Sequence, residues 1–260
     1  MNEAIVDVNV YLSRWPFRRV SADEPTAIAD KLRSQGVVQA WAGSLDSLLH
    51  RDLGSVNERL AAECRAAGEG FLLPFGAVNL RLPDWEEDLR RCHEEFGMPG
   101  IRLHPNYHGY KLDDPLAAKL LSQAAEHGLI VQLAVTMEDE RTQHPLVQVP
   151  HVDAAPLVEL VKRTPKLRLV LLNAFRALRP ELRGQLVAAG QVYFEIASLE
   201  GVGGVEKLFG QIPGERILFG SYAPLFYFES ALLKLQESQL GQVQLEAIRK
   251  GNAKWLLAAI

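Results

Sequence analysis

Two short apolar runs decide the fold class of this chain: Leu129-Ile-Val-Gln-Leu-Ala-Val135 and Leu167-Arg-Leu-Val-Leu-Leu172. Nearly every residue in both runs is apolar, which is typical of parallel strands that are covered on both faces. Each run is followed by a segment in which apolar residues recur at helical spacing. Together they predict strand–helix units packed as a parallel α/β structure.

The same alternation extends along the whole chain. The predicted strands cover residues 5–10, 37–41, 71–78, 100–104, 129–136, 167–173, 192–197 and 216–221. The predicted helices cover residues 25–34, 56–67, 84–96, 115–127, 155–163, 180–189, 204–209, 228–237 and 244–257. Eight such units predict an α/β fold of the (β/α)8 TIM barrel type, with one domain over residues 1–260. An open doubly wound sheet is the main alternative, but no Gly-x-Gly-x-x-Gly follows the first strand.

The composition and charge of the chain argue against several classes of partner. The 260 residues carry a net charge of −4 and are 48% hydrophobic, which is ordinary for a globular protein. This acidity, with no long basic run, argues against nucleic acid as a partner. The apolar runs are too short to cross a bilayer, so no membrane partner is expected. The N-terminal sequence lacks the basic and apolar regions of a signal peptide, which predicts a cytoplasmic protein.

Polar residues follow several predicted strands at the end where a barrel builds its active site. Arg102 and His104 alternate with Ile101 and Leu103, so we expect both to point into the barrel near its mouth. Imidazole titrates near neutral pH and guanidinium binds carboxylate by two parallel bonds. The pair is therefore a candidate general base and anion clamp, or else an internal hydrogen-bond network that fills the mouth.

The loop after the fifth strand is densely charged. It carries Asp139, Arg141 and His144, which could orient a substrate carboxylate or supply an acid–base pair. The alternative is a solvated surface loop whose ion pairs contribute little. The remaining candidates for substrate contact follow the first, fourth, sixth and eighth strands: Asn9, Tyr11, Asn106, Asn173 and Tyr222.

Four motifs carry a resemblance to a known family. They are Ile5-Val-Asp-Val-Asn-Val-Tyr11, Gly100-Ile-Arg-Leu-His-Pro-Asn-Tyr-His-Gly-Tyr110, Ile217-Leu-Phe-Gly-Ser-Tyr-Ala-Pro224 and Gly251-Asn-Ala-Lys-Trp-Leu-Leu257. In these motifs the chain resembles the amidohydrolase-related group of metal-dependent TIM-barrel hydrolases, which includes lactonases and some decarboxylases. The resemblance covers nearly the whole chain and implies a divalent metal, usually zinc, at the barrel mouth.

The metal ligands that the resemblance implies are replaced here. The family's first strand ends Asp-x-His-x-His, and the two histidine positions hold Asn9 and Tyr11. The family's histidines on strands five and six fall near Ala134 and at Asn173, and Tyr222 replaces its strand-eight aspartate. Asparagine and tyrosine are poor substitutes for imidazole and carboxylate around zinc. We therefore expect no metal cofactor at these positions.

Three hypotheses follow from these residues. The first is a metal-independent hydrolase of a small lactone, ester or amide, in which Arg102 and Asn9 bind the substrate and His104 or Asp139 activates water. The second is a non-catalytic barrel that binds a small molecule or a partner protein. The third is a metal enzyme with ligands at other positions, namely His104, His108, Asp139 and His144. Family members are often dimers, so the resemblance also raises a homodimer as an alternative.

Overall fold

Eight parallel strands form a nearly closed barrel in the computed structural model, which describes residues 4–258. In chain order the strands are β1 (Ile5–Leu12), β2 (Val37–Ser44), β3 (Leu72–Ala77), β4 (Gly100–Leu103), β5 (Ile130–Ala134), β6 (Arg168–Leu172), β7 (Gln191–Glu195) and β8 (Ile217–Leu218). Each strand is hydrogen-bonded to the next one along the chain. The predicted (β/α)8 barrel is confirmed.

The segment after β8 closes the barrel against β1. The amide of Val8 donates to the carbonyl of Phe219 at 3.0 Å, and the amide of Tyr11 donates to that of Ala223 at 2.9 Å. In return, the amide of Tyr222 donates to the carbonyl of Asn9 at 2.8 Å. Closure therefore depends on the chain that follows β8 as much as on the two residues of β8 itself.

Helices cover the outside of the barrel. They are α1 (Pro25–Ser34), α2 (Leu53–Ala66), α3 (Trp85–Arg90), α4 (Pro105–His108), α5 (Pro115–Glu126), α6 (Leu157–Arg163), α7 (Pro180–Ala189), α8 (Gly204–Phe209), α9 (Phe228–Gln236), α10 (Gln242–Glu246) and α11 (Asn252–Ala258). The predicted helix over residues 244–257 is helical throughout, and a wider π-helical turn at Ala247–Gly251 divides it into α10 and α11. The short helix α4, directly after β4, was not predicted.

The apolar core has an outer layer and an inner layer. Ile101 and Leu103 of β4 belong to the large outer cluster between strands and helices. A smaller cluster fills the barrel interior and includes Trp41 and Phe75, whose stacked rings lie 5.0 Å apart. Leu256 of α11 joins this inner cluster, so α11 covers the amino end of the barrel. A cavity of about 300 Å³ lies beside α11, bordered by Tyr193, Arg216 and Trp255, but barrels of this type build their active sites at the opposite, carboxyl end. Within residues 4–258, no helix is both long and apolar enough to span a bilayer.

Two glycines provide a matched test of this packing. Gly100 is the first residue of β4, and a Cβ added there would overlap the carbonyl oxygen of Ile130 and the ring of Phe75. Gly184 is an exposed residue of α7, and a Cβ added there would have no neighbouring atom within 4 Å. We expect Gly100→Ala to lower the free energy of unfolding by about 2 kcal/mol, because a backbone carbonyl cannot move aside. Gly184→Ala should raise it by up to about 1 kcal/mol through higher helix propensity. Urea unfolding of both variants checks this, and equal effects would contradict the packing argument.

Candidate functional site at the barrel mouth

The guanidinium of Arg102 lies fully buried inside the barrel. Its Nη1 donates to the carbonyl of Val10 at 2.7 Å, and its Nη2 donates to that of Trp41 at 3.0 Å and that of Val8 at 3.4 Å. Its Nε donates to Oε1 of Gln132 at 2.8 Å. The side chain thus points inward as predicted, but its donors serve β1, β2 and β5. This leaves Arg102 poorly placed to hold a substrate anion.

Neighbouring residues leave space for the Arg102 side chain and stabilise its charge. The ring of Tyr11 lies 4.4 Å from the guanidinium carbon, a cation–π contact. Gly43 of β2 leaves the necessary space, because an added Cβ there would lie 2.8 Å from the Arg102 side chain. Burial lowers the pKa of Arg102. Backbone carbonyls and an aromatic face therefore offset the cost of burying this charge.

Two fully buried carboxylates lie on the β1, β7 and β8 side. Asp7 accepts hydrogen bonds from the amides of Asn9 and Ser221 at 3.1 and 3.0 Å and from the Ser221 hydroxyl at 2.5 Å. Glu195 accepts from the amide of Asn173 and the Nδ2 of Asn9 at 2.6 and 3.2 Å. Burial raises the pKa of Asp7 to about 7 and also raises that of Glu195. These groups join strands to one another rather than facing the mouth.

A tyrosine–histidine pair occupies the barrel centre. The Tyr11 hydroxyl lies 3.0 Å from Nε2 of His104, and both side chains are fully buried. Burial lowers the pKa of His104 well below its usual range, so its imidazole is neutral. Its Nδ1 has no hydrogen-bond partner within residues 4–258. His104 lines none of the cavities described below, so a substrate in them would not touch it.

Apolar side chains cover this pair. Tyr222 packs edge-on against Tyr11 with ring centroids 5.7 Å apart, and its hydroxyl donates to the carbonyl of Met137. Trp15, from the loop after β1, and Leu45 join the same cluster. The centre of the mouth is therefore filled by protein.

Three adjoining cavities lie around this packed cluster, and Arg176 lines all of them. The central cavity, of about 280 Å³, is bordered by Thr136, Asn173, Ser198 and Tyr222. The β5-loop cavity, of about 260 Å³, is bordered by Thr136, Asp139, Glu140, Arg141 and His151. The β7-loop cavity, of about 470 Å³, is bordered by Ser198, Glu200, Val202, Ser230 and Lys234. We call them together the mouth cavities.

Charged side chains form a network around Arg176. Its Nη1 donates to Asp139 at 2.9 Å, and its Nε lies 3.3 Å from Glu200. Asp139 also accepts from the backbone amide, the Nε and the Nη2 of Arg141, at 2.7–3.0 Å. The hydrogen bonds from Arg141 and Arg176 hold the pKa of Asp139 well below its usual range. Asp139 is thus an ionised carboxylate with little tendency to take a proton.

A hydroxyl–imidazole–carboxylate series borders the β5-loop cavity and was missed by sequence reasoning. Oγ1 of Thr136 lies 2.7 Å from Nδ1 of His151, whose Nε2 lies 3.3 Å from Oε1 of Glu140. The loop after β5 turns back so that the amide of Val152 donates to the carbonyl of Val135 at 3.0 Å. This return places His151 beside Thr136, although 15 residues separate them and no spacing motif relates them.

The predicted site residues are therefore split among different places. Asn173, Asp139 and Tyr222 border the central cavity, and Arg141 borders the β5-loop cavity. Asn9, Tyr11, Arg102 and His104 lie in the buried network beneath. Asn106 donates to the carbonyl of Pro150 at 2.8 Å, and exposed His144 stacks on Phe17 with ring centroids 5.8 Å apart.

The residues at the implied metal position do not fit a divalent metal. Asn9 donates Nδ2 to Glu195 and Asn173, both at 3.2 Å, and its buried Oδ1, which has no hydrogen-bond partner within residues 4–258, is a neutral amide oxygen where the family has an imidazole. The hydroxyls of Tyr11 and Tyr222 are engaged elsewhere and their pKa values are raised by burial, which disfavours phenolate ligands. Within residues 4–258, no three His, Cys, Asp or Glu side chains converge as a metal site.

The first prediction from this site concerns Asp7 and pH. Because its pKa rises from 3.8 to about 7 on folding, the folded state binds this proton more tightly than the unfolded chain. The associated stability is fully present below about pH 4 and is lost as pH rises to about 7. Asp7→Asn resembles the protonated form. Between those pH values, we expect the free energy of unfolding of wild type to fall relative to that of Asp7→Asn, as measured by urea unfolding. The difference between wild type and the control Asp30→Asn, at an exposed position, should not change with pH. A pH-independent difference for Asp7→Asn would contradict the assignment.

The second prediction concerns metal content. Protein purified without chelator or added metal should contain far less than one zinc or manganese per chain, because neutral amides and protonated phenols are weak donors compared with imidazole and carboxylate. Elemental analysis tests this directly. Zinc titration should also leave Tm unchanged, since a ligand bound by the folded state would raise it. One equivalent of tightly bound metal would overturn the argument.

Comparison with known proteins agrees with this architecture. The family model described as Amidohydrolase (Amidohydro_2) matches residues 18–258. A search of curated protein sequences found no significant match. Among solved structures, 2,6-dihydroxybenzoate decarboxylase from Rhizobium is 14% identical with a TM-score of 0.71, and the match covers 99% of both chains.

Two further structures are similar in fold. A dihydroxybenzoic acid decarboxylase from Polaromonas sp. JS666, solved with bound manganese and the inhibitor 2-nitroresorcinol, is 14% identical with a TM-score of 0.76, covering 99% of this chain and 97% of that one. The 4-oxalomesaconate hydratase from Rhodopseudomonas palustris is 15% identical with a TM-score of 0.67, covering 98% and 96%. At such identities these structures show a shared fold. By the extent of the family match, this chain belongs to the amidohydrolase family.

Proposed function

We propose that this family member is a metal-independent hydrolase that cleaves a small lactone, ester or amide bound in the mouth cavities. The observation that carries the proposal is the set of polar groups around Arg176, at the end of the barrel where such folds build active sites. A lactone carbonyl is reactive enough for hydrogen-bond donors and a base to suffice. The misfit of the family's ligand positions to a metal favours this route over a metal-bound water.

In this proposal the substrate anion binds Arg176 rather than Arg102. Arg176 is partly exposed and borders all three mouth cavities, whereas Arg102 donates to strand carbonyls. A substrate carboxylate would compete with Asp139 and Glu200 for the same guanidinium. Asn173 and Tyr222 border the central cavity and would contact the rest of a small substrate.

Neither base predicted from the sequence suits this task. Asp139 reaches the cavities, but its depressed pKa makes it a weak proton acceptor. His104 lies beneath Tyr11 and outside the mouth cavities. Asp139 would instead hold Arg141 and Arg176 in position.

A second candidate function is binding without turnover. The observation that favours it is the filled barrel centre, where Tyr11, Met137 and Tyr222 form one packed cluster. In this alternative the mouth cavities bind a small anionic molecule and no bond is broken.

A substitution at Arg176 tests the proposal. With chelator-treated protein and a panel of carboxylated and uncharged lactones and esters, we expect turnover of carboxylated members. Arg176→Ala should raise their KM about tenfold or more, because a charge-assisted hydrogen bond contributes about 1.5–3 kcal/mol. The KM of uncharged members should change little. Arg179→Ala, an exposed arginine three residues away and outside the mouth cavities, is the matched control.

The panel also separates the two candidate functions. A rise in Tm with carboxylated compounds, lost in Arg176→Ala and not accompanied by turnover, would favour binding alone. Turnover that chelator abolishes would contradict the metal-independent route. Neither turnover nor a Tm shift across the panel would remove both candidates.

A further inference from the structure

We infer that Thr136, His151 and Glu140 act as nucleophile, general base and stabilising carboxylate for acyl transfer in the β5-loop cavity. This inference rests on the proposed hydrolase function and assigns its reacting groups. It replaces the two bases predicted from sequence with a histidine that lies at the mouth.

The geometry suits this order of roles. The Thr136 hydroxyl and Nδ1 of His151 are 2.7 Å apart, within hydrogen-bond reach for proton transfer. Because a carboxylate can only accept, Glu140 near Nε2 favours the tautomer with its proton on Nε2. That tautomer leaves the lone pair of Nδ1 free to accept the Thr136 proton. Glu140 then lies where it stabilises the imidazolium that forms.

The loop that carries His151 is held at several points. Next to it, the carbonyl of Pro150 accepts from Asn106 of α4, and the amide of Val152 donates to Val135. Thr136 is held by Nδ2 of Asn173, which donates to its carbonyl at 3.0 Å. The backbone that carries both reacting side chains is thus held by neighbours, which favours a preorganised site.

Positive charge lies where an oxyanion would develop. Arg141 and Arg176 border the same cavity as Thr136 and His151, and Asp139 holds the two guanidiniums together. An alkoxide formed at the substrate carbonyl beside Thr136 would be stabilised by Arg141, while Arg176 binds the substrate carboxylate. The site therefore contains a nucleophile, a base and an electrophilic region.

The reaction follows from these positions. Oγ1 of Thr136 attacks the acyl carbon while its proton passes to Nδ1 of His151. The resulting tetrahedral alkoxide collapses, the bond to the leaving oxygen breaks, and that oxygen takes the proton from His151. Water then attacks the acyl-threonine and gives a proton to His151, and Thr136 leaves and regains that proton. The balance is one ester and one water giving one acid and one alcohol, joined in a single molecule when the substrate is a lactone.

An alkyl fluorophosphonate tests the inference without knowledge of the substrate. It forms a P–O bond to an activated hydroxyl as the P–F bond breaks, and the label is detected by intact mass and peptide mapping. We expect one label per chain, on Thr136. Thr136→Val should abolish it, Thr136→Ser should retain it, and His151→Gln should slow it by about 100-fold or more through loss of the base. Glu140→Gln should slow labelling to a smaller degree.

Two control variants test whether the labelling is specific to Thr136 and His151. Thr26→Val and His127→Gln, at exposed positions outside the cavities, should label like wild type, and thermal melts verify folding of every variant. No label on Thr136, or a rate unchanged in folded His151→Gln, would overturn the inference, even where the lactone panel shows turnover. A His151-dependent label without turnover of any panel member would support these reacting groups while contradicting the proposed hydrolysis.

Discussion

The barrel is organised around a buried guanidinium that forms no ion pair with a carboxylate of residues 4–258. Removing such a charge from water is costly unless its donors are all engaged. Arg102 engages four of its five N–H groups, with the carbonyls of Val8, Val10 and Trp41 and with the side chain of Gln132. These acceptors belong to β1, β2 and β5, while Arg102 itself is on β4. One side chain thus connects four of the eight strands, and its loss would leave buried acceptors unpaired.

This arrangement decides where a ligand can bind. Once Arg102, Tyr11 and His104 fill the interior beneath the mouth, and Tyr222 and Trp15 cover them, the barrel centre offers no room for a substrate. Among residues 4–258, the cavities at this end lie to the side: the mouth cavities among the loops after β5, β6 and β7, and a further one of about 270 Å³ between α4 and the returning β5 loop. The groups that can do chemistry must then come from those loops. Arg176 and His151 meet this condition and Arg102 does not.

The fold was predictable from the sequence because its signals are local. Helix α1 was predicted with the bounds Pro25–Ser34, since a proline at its first position and Gly36 just beyond its end mark both termini. The site was predictable in part. Strand parity correctly turned Arg102 inward, but parity cannot say which acceptors a long side chain will reach. His151 was missed because the long loop between β5 and α6 carries no periodicity, and only the folded chain brings it to Thr136, 15 positions earlier.

The residues at the positions where the resemblance implies metal ligands join several strands by hydrogen bonds. Nδ2 of Asn9 on β1 donates to Asn173 after β6 and to Glu195 on β7, so an amide joins three elements that a shared ion could otherwise join. Glu195 completes the link by accepting from the backbone of Asn173. Hydrogen bonds of this kind are directional and cannot polarise a carbonyl as a metal does. The proposed hydrolysis would therefore need its nucleophile and its oxyanion donors elsewhere, and the β5-loop cavity is where hydroxyl, imidazole and guanidinium groups coincide.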